Sequence, residues 1–444
     1  MPRPERCRVV ITGLGPICAF GVGIQPLWSA LLEGRSAIAP VRRWDASGFA
    51  SNAAAELLLD TFDVKSAVPK SYRKATKVMA RDIEFAVGAA QEAVRDAGIV
   101  TRATEGATPT IPPDRFGCQI GAGLIAADVD ELTAALWTSR GADGNFDIAH
   151  WGETGMTNLT PLWLLKYLPN MLSCHVTIIH DCQGPSNTIT CAEASAGLSC
   201  GESMRVIQRG DADVCLSGGA ECRVHPMSML RQGFARRLAA TPTGVDPATI
   251  TRPFAPDATG GLLGDGGGIV VLENGATAAA RGAVALAEIA GFGASQCFCP
   301  DTIGVEVNET GEEIAMAIAA ALDDAGITAD AIDAIVPFGS GIPHVDQPEA
   351  AALVSVFGSR ARSIPLIQVM PFVGNCGAGA GALAIIVGAQ AIRTQTLPAR
   401  INTTGCTALD ANVTPARAAT LKNVLVVITS LGGQNAAIVL RAVA

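Results

Sequence analysis

Gly184 to Glu221 reads GPSNTITCAEASAGLSCGESMRVIQRGDADVCLSGGAE, and this stretch decides the fold. Ser186 to Cys191 reads as a strand and Ala194 to Gln208 as a helix. Ala212 to Ser217 reads as a second strand ending in Gly218-Gly219. The pattern is strand, tight turn, helix, strand. It sets Glu193 on the turn, at the start of the helix, where backbone N–H groups lack partners and the helix dipole is positive.

The same grammar extends outward in both directions. Upstream lie a first strand at Arg8 to Thr12, a helix around Pro26 to Leu32, a long helix over Tyr72 to Ala97 and a strand at Arg115 to Ile120. Asp128 to Trp137 and the largely apolar Leu159 to Ser173 read as helices, the latter expected to be buried at a core or a subunit contact. Downstream, Ile269 to Leu272 and Val284 to Gly291 are strands. Then come helices at Gly311 to Ala325, Pro348 to Val356 and Gly379 to Ile392, with strands at Ala331 to Pro337, Asn423 to Thr429 and Asn435 to Arg441. Repeated alternation implies an α/β protein of two pseudo-repeated halves, 1–273 and 274–444, in stacked layers.

Composition excludes several classes. Of 444 residues, 49% are hydrophobic and only 16% charged, the reverse of a disordered chain. A net charge of −9, with aromatics at 5%, argues against a nucleic-acid surface. The most apolar windows, such as Leu383 to Ala391, are short and broken by glycine, so no membrane span is expected. The charged Met1 to Arg8 runs straight into a strand and is unlike a signal peptide. The 13 cysteines form no CxxC pair, and the Cys297/Cys299 and Cys191/Cys200 spacings are not those of a zinc site. Reduced thiols in a cytoplasmic protein, with no metal and no cofactor, are the expectation.

Ordered motifs then carry a resemblance. They are RVVITGLGPICAFGVG from Arg8 to Gly23, WSALLEGRSAIAPVRRWDAS from Trp28 to Ser47, Pro169-Asn170-Met171, Gly184-Pro185-Ser186 and Gly201-Glu202. Gly218-Gly219-Ala220-Glu221, Arg252-Pro253-Phe254, Gly264-Asp265-Gly266, Gly377-Ala378 and Gly432-Gly433-Gln434-Asn435 follow. Across nearly its whole length the chain resembles the thiolase-fold β-ketoacyl-[acyl-carrier-protein] synthases. The resemblance implies two halves stacked as α-β-α-β-α layers.

It also implies which residues should carry chemistry, and there the chain departs. Counting nine on from Gly184, or eight back from Gly201, the nucleophilic cysteine falls on Glu193. Cys191 lies two residues early. The first catalytic histidine falls on Phe338, and His344, beyond Pro343, does not replace it and reads as a surface-loop residue. The second falls on Gly374 by one count and Asn375 by another. The family's lysine falls on Val369, and the residue before the glycine loop Gly432-Gly433 is Leu431.

Decarboxylative condensation needs a thiolate to accept the acyl chain and donors to hold the developing enolate. A carboxylate attacking a thioester would give a labile mixed anhydride. Phe338 offers no donor, Gly374 has no side chain, and Asn375 offers one amide. The resemblance therefore points to a chain-length-factor-like subunit of a type II polyketide, fatty-acyl or polyene synthase. Such a subunit pairs with an active ketosynthase, meets acyl carrier protein and shapes the acyl tunnel; its relatives usually carry Gln where Glu193 stands. Alternatives are an independent acyltransferase or malonyl decarboxylase using Glu193 or Cys191, and a homodimeric carrier-protein scaffold. Glu193 itself is expected to fill the old oxyanion hole and hold the turn.

Pairing is expected through the strand Ser186 to Cys191, with Ile189 mid-strand, and through a helical segment Thr160 to Met171. Trp163, Leu164 and Tyr167 on that segment either floor the partner's tunnel or pack in the core.

Overall fold

The computed structural model describes residues 6–297 and 308–443. Met1 to Glu5 of the charged N-terminal segment, and Cys299, lie outside them.

The N-terminal half contains β1 (Val9–Cys18), α1 (Arg81–Asp96), β2 (Phe116–Ala122), α2 (Met171–His180), β3 (Ser186–Ile189), α3 (Ser195–Gln208), β4 (Val214–Glu221), α4 (Pro226–Phe234) and β5 (Gly266–Asn274). The chain then enters β6 (Ala287–Gln296), α5 (Glu312–Ala325), β7 (Ala334–Val336), α6 (Pro343–Phe357), α7 (Ala380–Thr394), β8 (Asn423–Thr429) and β9 (Gln434–Arg441). The strand order is β3-β2-β4-β5-β1 and then β6-β9-β8-β7. Within the first half, β3, β2 and β4 are parallel while β5 and β1 are antiparallel to their neighbours. The second half repeats this: β7 and β8 are parallel, β9 and β6 antiparallel, and Leu366 bridges Ile335 in parallel, where β3 would stand. The sheets are joined where Val10 and Ile11 pair with Glu288 and Ala287.

Helices α1 and α2 cover one outer face and α5 and α6 the other, while α3 and α7 pack between the sheets. These are the five layers of a thiolase-like α/β fold. A helix between two sheets must be apolar all round, and α7 is buried from Ala380 through Ile392. Among the described residues, Gly377–Thr394 is long and apolar enough to cross a membrane by length and composition, and 89% of it is buried inside the protein.

One local device appears twice. The register of β1 against β5 shifts between Ile11 and Gly13, and that of β6 against β9 between Ile289 and Gly291. After each bulge come two alternate glycines against a helix. A Cβ on Gly13 or Gly15 would lie 2.3 or 2.0 Å from the carbonyl oxygens of Ala93 or Ala89 in α1. On Gly291 or Gly293 it would lie 2.2 or 2.1 Å from those of Ala321 or Ala317 in α5. The two halves dock α1 and α5 in the same way, by letting backbone touch backbone.

Three expectations are corrected. Tyr72 to Ala97 is not one helix: Lys70–Val78 is 3₁₀, and α1 starts at Arg81. Between them Met79 and Ala80 are extended, and both are buried. Thr160 to Met171 is not a helix either. Only Trp163–Tyr167 makes a 3₁₀ turn, Leu168 is extended, and α2 begins at Met171. Pro169 disfavours helical geometry at the residue before it. In the single chain Leu162 and Leu164 of that segment are 64% and 59% exposed, so they are not core residues. His344, finally, lies in the first turn of α6 and is half-buried.

Candidate functional site

The turn between β3 and α3 carries Ala192 at φ +46°, a left-handed conformation that a residue with a Cβ adopts only at a cost of roughly 1–2 kcal/mol. Beyond it Glu193 is wholly buried. Its carboxylate does not cap α3, as its place at the helix start suggested. Instead Oε1 accepts from Arg223 Nη1 at 3.2 Å, Arg237 Nη2 at 3.0 Å and Asn375 Nδ2 at 3.1 Å. Oε2 accepts the Leu431 N–H at 3.0 Å. Helix-end N–H groups offer partial charges. Two guanidiniums offer full ones, and a desolvated carboxylate gains more from those.

The partners are themselves buried, Arg223 at 5% exposure and Arg237 at 2%. Arg223 also donates to Asn375 Oδ1 at 2.8 Å, an atom that takes the Gly377 N–H at 2.9 Å as well. Its Nε lies 3.5 Å from Glu221 Oε1, and Glu221 Oε2 accepts the Ala378 N–H at 2.7 Å. Two carboxylates thus balance two guanidiniums in a closed network. Burial pushes the Glu193 carboxyl up, but Arg237 and Arg223, with the Leu431 and Asn375 bonds, hold it far below the usual carboxylate range. A carboxylate so held is a poor base and a poor nucleophile.

The structure also separates the two candidates near 375. Gly374 sits at φ +67°, and a Cβ there would lie 2.4 Å from the Leu263 carbonyl oxygen. Asn375 is the residue brought to Glu193. Phe338 is buried against an apolar crevice shared with Val369, Met370, Val373 and Gly374. That crevice is about 10 Å³, room for about one water. The Phe338 and Gly339 N–H groups are fastened to Glu349 at 2.7 and 2.9 Å. Burial, aided by Asp346 against the bonds from Gly339 and Phe338, pushes Glu349 up to about 8.

Leu431, Gly432 and Gly433 form the turn between β8 and β9, and through the Leu431 N–H the loop is tied to Glu193. Cys191 is half-buried, and burial pushes its thiol up, away from the reactive thiolate. Cys191, like Cys182 and Cys200 on either side of it in the sequence, is a free thiol. Among the described residues no group of His, Cys, Asp and Glu is arranged to hold a metal.

Thr160, Trp163, Leu164, Tyr167, Met171 and Ile189 lie apart, and among the described residues none bonds to the Glu193 network. Trp163 and Tyr167 stack at 5.1 Å, and the Tyr167 hydroxyl donates to Glu131 at 2.7 Å. Sequence reasoning missed Arg223 and Arg237. The signal for them was indirect: a carboxylate buried at Glu193 requires cations, and both arginines follow the GGAE motif closely.

Comparison with known proteins gives the family. The description "Beta-ketoacyl synthase, N-terminal domain" matches residues 6–278, and "Beta-ketoacyl synthase, C-terminal domain" matches residues 286–404. The chain belongs to the β-ketoacyl synthase family. This β-ketoacyl synthase homologue is 31% identical to "3-oxoacyl-[acyl-carrier-protein] synthase 2" of Coxiella burnetii, over 98% of this chain and 99% of that protein. Among solved structures it is similar to a chain of "The ishigamide ketosynthase/chain length factor". The TM-score is 0.83 at 28% identity, covering 99% of this chain and 100% of that one. It shares its fold, at TM-score 0.83 and 24% identity, with a chain of a type II PKS acyl-carrier protein in complex with its ketosynthase. That match covers 99% of this chain and 100% of that one.

Proposed function

We propose that this chain is a non-catalytic, chain-length-factor-like subunit. It pairs with an active ketosynthase, meets acyl carrier protein and shapes the acyl tunnel while its partner performs decarboxylative Claisen condensation. The observation that carries this reading is the use of Glu193: four donors take both of its oxygens, and burial holds the thiol on the turn, Cys191, toward its unreactive protonated form. Phe338 and Asn375, where the resemblance sets the two histidines, support the same reading. So do the exposed large apolar side chains that cluster in sequence between residues 124 and 164, Leu124, Trp137, Phe146, Ile148, Leu162 and Leu164. The division at 273/274 belongs to the same proposal; β5 ends there, at Asn274.

Co-expression with a ketosynthase encoded nearby, followed by size exclusion and intact mass, tests it. The expected result is a 1:1 pair in which acyl groups load only on the partner. A stoichiometric acyl adduct on Cys191, or on any other cysteine of this chain, would overturn it. So would a soluble, well-behaved monomer at high concentration.

A further inference from the structure

A cavity of about 220 Å³ adjoins the Glu193 network. Leu431, Glu221 and Arg223 line it on the network's side, Ser228, Arg231 and Gln232 of α4 line another, and Gly123, Leu124 and Ala192 complete it. Glu221 and Arg223 are already committed to each other and to the backbone and side chains around them. The α4 residues are not. Arg231 donates to Ser228 Oγ at 3.2 Å and to the Leu124 carbonyl at 3.5 Å, and no ion pair to it occurs among the described residues. Gln232 is 7% exposed, and its Oε1 has no hydrogen-bond partner.

The cavity therefore presents a guanidinium that feels Glu221 but has no ion pair of its own, because Arg223 and the Ala378 N–H already hold that carboxylate, and one buried acceptor without a donor. An alkyl chain would desolvate both and satisfy neither. A dianion would exceed the charge available, because Arg223 is neutralised. The volume lies below the range of about 300–1,000 Å³ that suits drug-sized ligands, so the occupant is small. We propose that this cavity binds a small monocarboxylate that also carries a hydroxyl or amide donor. Its carboxylate meets the Arg231 guanidinium, and its donor meets Gln232 Oε1. The Ser228 hydroxyl, which now accepts from Arg231, is placed to donate to the same carboxylate. This inference does not depend on pairing with a ketosynthase.

The test uses the full-length chain and saturation-transfer NMR with three probes: 3-hydroxybutyrate, butyrate and hexanoate. Saturable binding of 3-hydroxybutyrate is expected, about tenfold tighter than butyrate, with no competition from hexanoate. Arg231→Met is expected to weaken 3-hydroxybutyrate about tenfold or more, with circular dichroism unchanged. Should that variant fail to fold, Arg231→Gln reads the same loss. Gln232→Leu is expected to erase the preference for the hydroxylated acid while butyrate still binds. The proposal is overturned if 3-hydroxybutyrate does not saturate the protein by about 50 mM. It is also overturned if a folded Arg231 variant binds like the wild type, if hexanoate competes, or if the preference survives Gln232→Leu.

Discussion

At the N-terminal edge of the sheet, β3 pairs with β2 on one side only, and Ser186 and Asn187 are exposed. The matching stretch of the C-terminal half, 365–367, runs beside Ile335 on one side and Asp410 on the other. There Leu366 and Ile367 are buried, and the Leu366 N–H reaches the Asp410 carbonyl at 3.3 Å. Both edges derive from the same repeat. The chain covers one with its own later loop and leaves the other open. An open edge is a template for another strand, so in the proposed pairing β3 is the edge that would meet the partner. The turns that follow the two edges, by contrast, meet at the centre, where Asn375 donates to Glu193.

The largest effect is expected at the open edge. Ile189→Asp puts an unpaired carboxylate into the proposed contact and should abolish the co-expressed pair on size exclusion. If the pair persists, β3 is not the contact. Next comes the centre. Glu193→Gln leaves Arg237 buried without its counter-charge, while Arg223 keeps Glu221, and should cost about 3–5 kcal/mol in urea unfolding. The folded pKa of Glu193 lies below its unfolded value of 4.5. Its contribution is therefore complete above about pH 4.5 and is lost as pH falls toward the folded pKa. The wild type should lose its advantage over Glu193→Gln only in acid; an advantage that is flat with pH would refute the ionic account.

A smaller effect concerns product. If Trp163 floors the tunnel, Trp163→Ala should lengthen the products of the assembled pair, read by mass spectrometry, with little change in initial rate. Unchanged length in an intact complex would assign Trp163 to packing against Tyr167.

The smallest concerns Asp82, buried in α1, whose Oδ1 accepts the Cys222 N–H at 3.0 Å. Burial, with Glu221 and Asp265 nearby and against its backbone bonds, raises it from 3.8 to about 7. The stability tied to its protonated form is present below pH 3.8 and declines as pH rises to about 7. Asp82→Asn keeps an acceptor but cannot ionise. Its urea midpoints at about pH 4.5 and about pH 7.5 should lie closer together than those of the wild type. An equal gap would mean that Asp82 does not titrate in this window.

Residue order alone was enough to read the alternation of strands and helices, the likeness of the two halves and the place of Glu193 on a strand-to-helix turn. These rest on local periodicity, on turn residues and on motif spacing, which a linear reading can follow. It could not choose between Gly374 and Asn375, because the choice turns on how closely the Leu263 carbonyl approaches. Nor could it find the counter-ions. Glu193 meets Arg223, Arg237, Asn375 and Leu431 across separations of 30, 44, 182 and 238 residues. Only tertiary structure decided those partners. A buried charge takes whatever opposite charge and N–H groups the packed layers bring within reach, and sequence distance has no bearing on that choice.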